Sequence, residues 1–197
     1  MNELILDRKL DCLFLTETWL GTDAPVVLSE ASPPNFSSAF SIRQGKRGGG
    51  TASICTNTLP FKSVLFEHYT SFEYHAIVFS NPRILSVTIY RPPKNGSLFI
   101  KEFSEFLSIL HSSYNMIILT GDFNLHIDNR LDPISSEFLK VLNYMNFVQN
   151  VTQSTHNRGH TLDLVITLWP VHWCVLCCEP LLRVFLISLV LFNGRPP

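Results

Sequence analysis

With 197 residues, 46% of them hydrophobic and only 16% charged, the chain suits one globular domain with a core of its own, which excludes a disordered segment. A net charge of −1 excludes general electrostatic attraction to nucleic acid, so any DNA contact has to come from a local patch. Five scattered cysteines, an odd number, exclude a disulfide scaffold and lead us to expect a reducing, intracellular setting.

Residues 3 to 20 read as a helical remnant entering a strand, Leu10 to Leu15, that stops at Thr16-Glu17-Thr18-Trp19-Leu20. The start of the chain is acidic and too short in apolar run for a signal peptide. Residues 21 to 47 read as a long polar connection holding Pro25, Pro33 and Pro34, followed by Gly48-Gly49-Gly50. Three strands over 51–57, 74–80 and 84–90 read as an antiparallel meander, the last one halted by Arg91-Pro92-Pro93.

From Leu98 to His111 the spacing of Phe99, Phe103, Phe106, Leu107 and Leu110 predicts a helix with Ser97 as its cap and the aromatic stripe in the core. The run Met116 to Thr120 predicts a buried strand, closed into a tight turn by Gly121. A second amphipathic helix over about Ser135 to Phe147 uses Phe138, Leu139, Leu142, Met145 and Phe147. Thr161 to Thr167 is a further strand, with Asp163 inside its apolar run, where an ionisable group needs a partner or a functional edge. Strands and helices mixed in this way suit an α+β chain of two packed sheets flanked by helices.

The tail, 169–197, differs in kind. Its last apolar run, Val184 to Phe192, has nine residues, half of what a membrane span requires, so an edge strand or a loosely packed tail is expected and no membrane insertion. Cys174-x-x-Cys177 lacks the second pair that a zinc or redox motif would need.

Polar residues collect where the strands end. Gly121-Asp122-Phe123-Asn124 puts a carboxylate and a carboxamide two residues apart, able to share one small target. Glu17, Tyr90, Asp122, Asn124 and Asp163 together make a set suited to a hard metal and a phosphate. Each has a plainer reading by itself: Glu17 as a solvent-facing end residue, Tyr90 as a sheet-edge aromatic, Asp122 and Asn124 as a polar turn.

Five blocks in one order carry a resemblance: Leu15-Thr16-Glu17-Thr18-Trp19-Leu20, Gly48-Gly49-Gly50, Tyr90-Arg91-Pro92-Pro93, Gly121-Asp122-Phe123-Asn124 and Thr161-Leu162-Asp163-Leu164-Val165. Over about residues 3 to 168 the chain resembles the endonuclease/exonuclease/phosphatase superfamily, whose members look like DNase I, and residues 1–168 are expected to form the domain. Within it, the chain is similar to the endonuclease domains of LINE-type non-LTR retrotransposons. The resemblance implies a four-layer α/β/β/α sandwich and a phosphodiesterase dependent on Mg²⁺, or on Mn²⁺, acting on DNA. It implies Glu17 as metal ligand, Asp122 as base or water orienter, and Asn124 as donor to phosphate or to Asp122. Tyr90 would donate to a non-bridging oxygen, and Asp163 would orient a histidine.

The chain also departs from that pattern. The family's first strand, with its Asn, should precede Glu17 by some tens of residues and is expected to be missing, leaving the sandwich incomplete. The terminal Ser-Asp-His block is absent. His172 looks like a vestige, yet only eight residues separate it from Asp163, where parallel strands need a crossover of about a dozen or more. Weak or no activity is therefore expected. The one basic cluster, Arg43, Lys46 and Arg47, is the candidate DNA patch or else a solvated loop. A monomer without small-molecule cofactor is expected, nuclear if it works as a retroelement nuclease. A catalytically dead relic or interaction module is the alternative, and a phosphatase acting on a lipid or inositol headgroup is a further one.

Overall fold

The computed structural model describes residues 1–43, 45, 48–93, 96–129, 131–156 and 158–168, together with the backbone of Val184–Ile187. Strand β1 (Cys12–Thr16) is buried throughout and pairs antiparallel with β3 (Thr51–Thr56) on one side and β10 (Val184–Ile187) on the other. Beyond β3 lies β2 (Phe36–Ser41), which completes a four-stranded sheet. The second sheet has six strands, in the order β4 (Phe61–Val64), β5 (Glu73–Ser80), β6 (Arg83–Tyr90), β7 (Ile117–Asp122), β9 (Asp163–Leu168) and β8 (Val148–Gln149). Only β6 and β7 run parallel in it, and helix α3 (Gly96–Ser113) supplies the long crossover that a parallel pair needs.

Three clusters of buried side chains separate four layers. Leu13, Leu15, Ala52 and Ile54 on one face of the small sheet pack with Ile5 of α1 (Asn2–Asp7) and Leu28 of α2 (Ala24–Ala31). The alternate residues Cys12, Phe14 and Cys55 face the larger sheet and meet Ile77, Phe79, Ile84, Ile118 and Val165. The far face of the larger sheet, with Leu85, Val87, Ile89, Leu119, Leu164 and Ile166, is covered by Phe99, Phe103 and Phe106 of α3 and Phe138 of α4 (Pro133–Tyr144). The result is an α/β/β/α sandwich. Cys12 and Cys55 are register partners with free thiols. Among the described residues no helix is long and apolar enough to cross a membrane.

Several elements differ from the expectations. The stretch 21–47 contains α2 and β2 as well as loops. Pro25 sits in the first turn of α2, where a missing N–H costs nothing, and Ser32-Pro33-Pro34 then ends the helix. The three expected meander strands divide between the sheets: β3 joins the small one, while β5 and β6 form a hairpin flanked by β4. Ser97 stands in the first turn of α3. Helix α4 begins earlier than expected because Asp132 accepts the Ser135 N–H at 2.8 Å as N-cap, and it ends before Met145, which is half-buried. Gly121 does not turn the chain. It lies within β7, where a Cβ would fall 1.8 Å from the Ile89 carbonyl oxygen of β6, so only glycine lets the two strands approach.

Candidate active site

Side chains two apart on a strand share a face, so the burial pattern decides which polar residues can meet. In β5, Ile77 and Phe79 face the small sheet, and so do His75 and Glu73. The same alternation carries Ile84 to Tyr90 in β6, Ile118 to Asp122 in β7 and Val165 back to Asp163 in β9. Register then aligns them: Glu73 opposes Tyr90, Tyr90 opposes Asp122, and Asp122 opposes Asp163. Four adjacent strands therefore end in a row of four polar side chains, all on the face turned toward the small sheet.

Glu17 reaches this row from the other sheet. It follows β1 directly, at a φ of 49°, and its carboxylate accepts a hydrogen bond from the Tyr90 hydroxyl. Its loop is tied to the glycine run, since Thr18 N–H donates to the Gly50 carbonyl at 3.3 Å and Trp19 N–H to the Gly49 carbonyl at 2.9 Å. A Cβ on Gly50 would press on Thr18 Oγ1 at 2.8 Å, and its φ of +82° also favours glycine. Burial, the bond to Glu17 and the nearby Glu17 and Asp122 carboxylates push the Tyr90 phenol well above its ordinary range. It stays protonated, hence a donor, at any physiological pH.

Asp122 is buried, and its Oδ1 accepts the backbone N–H of Asn124 at 2.9 Å. The Asn124 carboxamide turns elsewhere and donates to the Arg91 carbonyl at 2.8 Å. Arg91 returns the contact, its Nη1 donating to the Phe123 and Asn124 carbonyls at 3.0 Å each. This reciprocal clamp holds Asn124 at a φ of 47°, a conformation that asparagine tolerates better than most residues. Asp163 is buried, and both its N–H and that of Leu162 donate to Thr155 Oγ1 at 3.0 Å. His172 lies outside the described residues.

Sequence reading missed several of these partners. Glu73 accepts the Gly50 N–H at 2.7 Å and pairs with Arg43, whose guanidinium lies 5.5 Å from the centre of the Tyr90 ring. Arg43 is thus half-buried in the site and is no solvated loop residue; Lys46 and Arg47 lie outside the described residues. His75, equally unforeseen, bridges the sheets through Thr51 Oγ1 at 2.9 Å and Ser53 Oγ at 3.0 Å. Burial pulls its pKa down to about 3, so it is neutral. Only the pairing of distant strands could have disclosed either residue.

The oxygen groups facing the seam are carboxylates and a phenol, hard ligands of the kind that suits Mg²⁺ and not a soft metal.

No curated protein sequence matches the chain. Solved structures do. The endonuclease domain of TRAS1, a telomere-specific non-LTR retrotransposon, superposes with a TM-score of 0.67 at 14% identity, covering 94% of this chain and 88% of that one. The AP endonuclease LMAP from Leishmania major gives 0.64 at 16% identity over 84% of this chain and 72% of its own. The 3′ phosphatase NExo from Neisseria, bound to a product DNA hairpin, gives 0.62 at 14% identity over 84% and 79%. At such identities these likenesses speak for the fold alone. The sequence model of the endonuclease/exonuclease/phosphatase family matches residues 2–189. A match over nearly the whole chain, on a four-layer sandwich with acidic and phenolic groups at its sheet seam, makes this protein a member of that family.

Proposed function

We propose that the chain is a metal-dependent phosphodiesterase that nicks DNA, derived from a non-LTR retrotransposon. The observation that carries this reading is the row Glu73, Tyr90, Asp122 and Asp163 with Glu17 bonded to Tyr90 from the facing sheet. Glu17 is the residue to hold Mg²⁺, with Asp122 close to it through Tyr90. The ion would neutralise phosphate oxygens and stabilise the leaving oxygen.

The protein's own groups do the rest. Asp122, oriented by the Asn124 N–H, accepts a proton from the attacking water. Tyr90, held protonated, offers its hydrogen to a non-bridging phosphate oxygen once the bond to Glu17 is exchanged for one to substrate. Arg43, paired with Glu73 and beside the Tyr90 ring, places a guanidinium at the row, where it can turn to a phosphate oxygen. Asp163 supports the end of the row beside Asp122 and would orient a histidine if one reaches it.

A second reading, a fold kept without catalysis, is favoured by the absence of a Ser-Asp-His block from the sequence. A plasmid-nicking assay with Mg²⁺, with chelator and with Asp122→Ala separates the two. Magnesium-dependent nicking that disappears in the variant supports the nuclease. No nicking in any arm supports the second reading, and nicking that survives in Asp122→Ala overturns the placement of the site.

A further inference from the structure

Two loops bring His126, Asp128 and His160 together. One potential ligand atom from each lies within 4.8 Å of the others. Asp128 Oδ2 is 3.0 Å from His160 Nδ1, and the two imidazole rings meet edge to face with centroids 4.1 Å apart. The other carboxylate oxygen, Oδ1, accepts the Thr161 N–H at 3.0 Å, which fixes the plane of the carboxylate. His126 and Asp128 are exposed and His160 is half-buried, so a further position toward solvent is open.

We propose that these three residues form a metal site separate from Glu17, one that takes a divalent transition ion of the zinc class. Two imidazoles and one carboxylate are borderline ligands, suited to zinc and its neighbours and poorly suited to Mg²⁺ or Ca²⁺, which prefer all-oxygen sets. A tetrahedral zinc site with bonds of about 2.0–2.1 Å spaces its ligand atoms about 3.4 Å apart. Closing from 4.8 Å or less to that spacing takes about 1 Å of movement in exposed side chains. The Thr161 N–H plays the part that outer hydrogen bonds play in such sites, orienting a ligand carboxylate before the ion arrives.

An ordinary surface ion pair between Asp128 and His160 contributes little by itself and does not account for the His126 ring being held against that of His160. The location gives the ion something to do. His126 lies two residues beyond Asn124, and His160 three before Asp163. An ion there clips the loop that follows β7 to the turn that enters β9. It is a structural clip beside the proposed active site and takes no part in the chemistry.

The test uses the whole chain freed of metal by chelator, then titrated with Co²⁺ as a spectroscopic stand-in for zinc with excess Mg²⁺ present to occupy the Glu17 site. The expected result is one Co²⁺ per chain with visible bands of nitrogen and oxygen ligation and no thiolate charge transfer. His126→Ala/His160→Ala should weaken binding roughly 100-fold or more. Asp128→Asn keeps an acceptor for the Thr161 N–H and should weaken it at least about tenfold without changing the unfolding midpoint of the metal-free chain. Added Zn²⁺ should raise the unfolding midpoint of the native chain and not of the double variant. Thiolate bands, undiminished affinity in the double variant, or no binding at all would each overturn the proposal. None of these readouts depends on DNA cleavage, so a failure of the nuclease reading leaves this one standing, and the converse holds too.

Discussion

The hydroxyl of Tyr90, at the end of β6 in the six-stranded sheet, donates its hydrogen bond to the carboxylate of Glu17, just past β1 in the four-stranded one. One bond thus closes the seam between two sheets at the point where their polar strand ends face each other. Exchanging Tyr90 for Phe keeps the ring and its packing and removes only the donor. We expect magnesium-dependent nicking to fall about 100-fold in Tyr90→Phe, with little change in the unfolding midpoint. Glu17→Gln, measured against Mg²⁺ concentration, should lose the magnesium response; an unchanged titration curve would show that Glu17 holds no ion.

The 197-residue chain assayed by itself is expected to nick supercoiled plasmid slowly, because its sequence holds no match to the family's Ser-Asp-His block. General acid–base and oxyanion groups are each worth roughly 10²–10⁴-fold in rate. A rate comparable to that of a family enzyme with that block would mean that another group, His172 being the candidate, supplies the missing function.

Gly121 is where backbone geometry and site meet. Gly121→Ala forces a methyl group against the Ile89 carbonyl, and the β6–β7 pairing that aligns Tyr90 with Asp122 has to give way. The expected loss is at least about 3 kcal/mol, read as a lower midpoint in urea. A midpoint within experimental error of the native chain would contradict this close approach.

Phe103 stacks on Phe99 at 5.1 Å and packs against Phe123 and Phe138 with centroids at 5.8 and 5.2 Å. Truncating it in Phe103→Ala should cost about 3–5 kcal/mol. An unchanged unfolding midpoint would remove α3 from the core.

His75 makes stability depend on pH. Its folded pKa of about 3 lies below the value of roughly 6.5 in the unfolded chain. Between those two values the unfolded state binds the proton and the folded one does not, so stability falls as pH falls through this window. The slope should approach ~1.4 kcal/mol per pH unit and vanish above about pH 6.5. His75→Gln, unable to titrate, should be less stable at neutral pH yet show a flatter acid limb. Equal acid limbs in the two proteins would assign the effect to other groups.

The elements legible in the sequence are those whose signal is local. Phe99, Phe103, Phe106 and Leu110 repeat at helical spacing, so α3 could be read without knowing what it covers. The apolar run into Asp122 and the alternation toward Tyr90 marked β7 and β6 in the same way. Helix α2 was hidden because Pro25, Pro33 and Pro34 look like loop punctuation until one sees that they stand at its two ends. Gly121 misled for a similar reason: a glycine after a strand resembles a turn, and only the neighbouring Ile89 carbonyl reveals it as a point of contact.

The candidate site divides along the same line. Glu17, Tyr90, Asp122, Asn124 and Asp163 could be picked out as polar residues at strand ends, since composition and periodicity report where a strand stops and which residues it buries. Neither reports which strand lies beside which. That Tyr90 opposes both Glu73 and Asp122, that Glu17 crosses from the other sheet, and that Arg43 and His75 belong to the seam were decided by register and by sheet-on-sheet packing. Those arise only when segments far apart in the chain bury their apolar faces against one another, because the alternation that hides Ile84, Ile118 and Val165 also turns Tyr90, Asp122 and Asp163 toward the same seam.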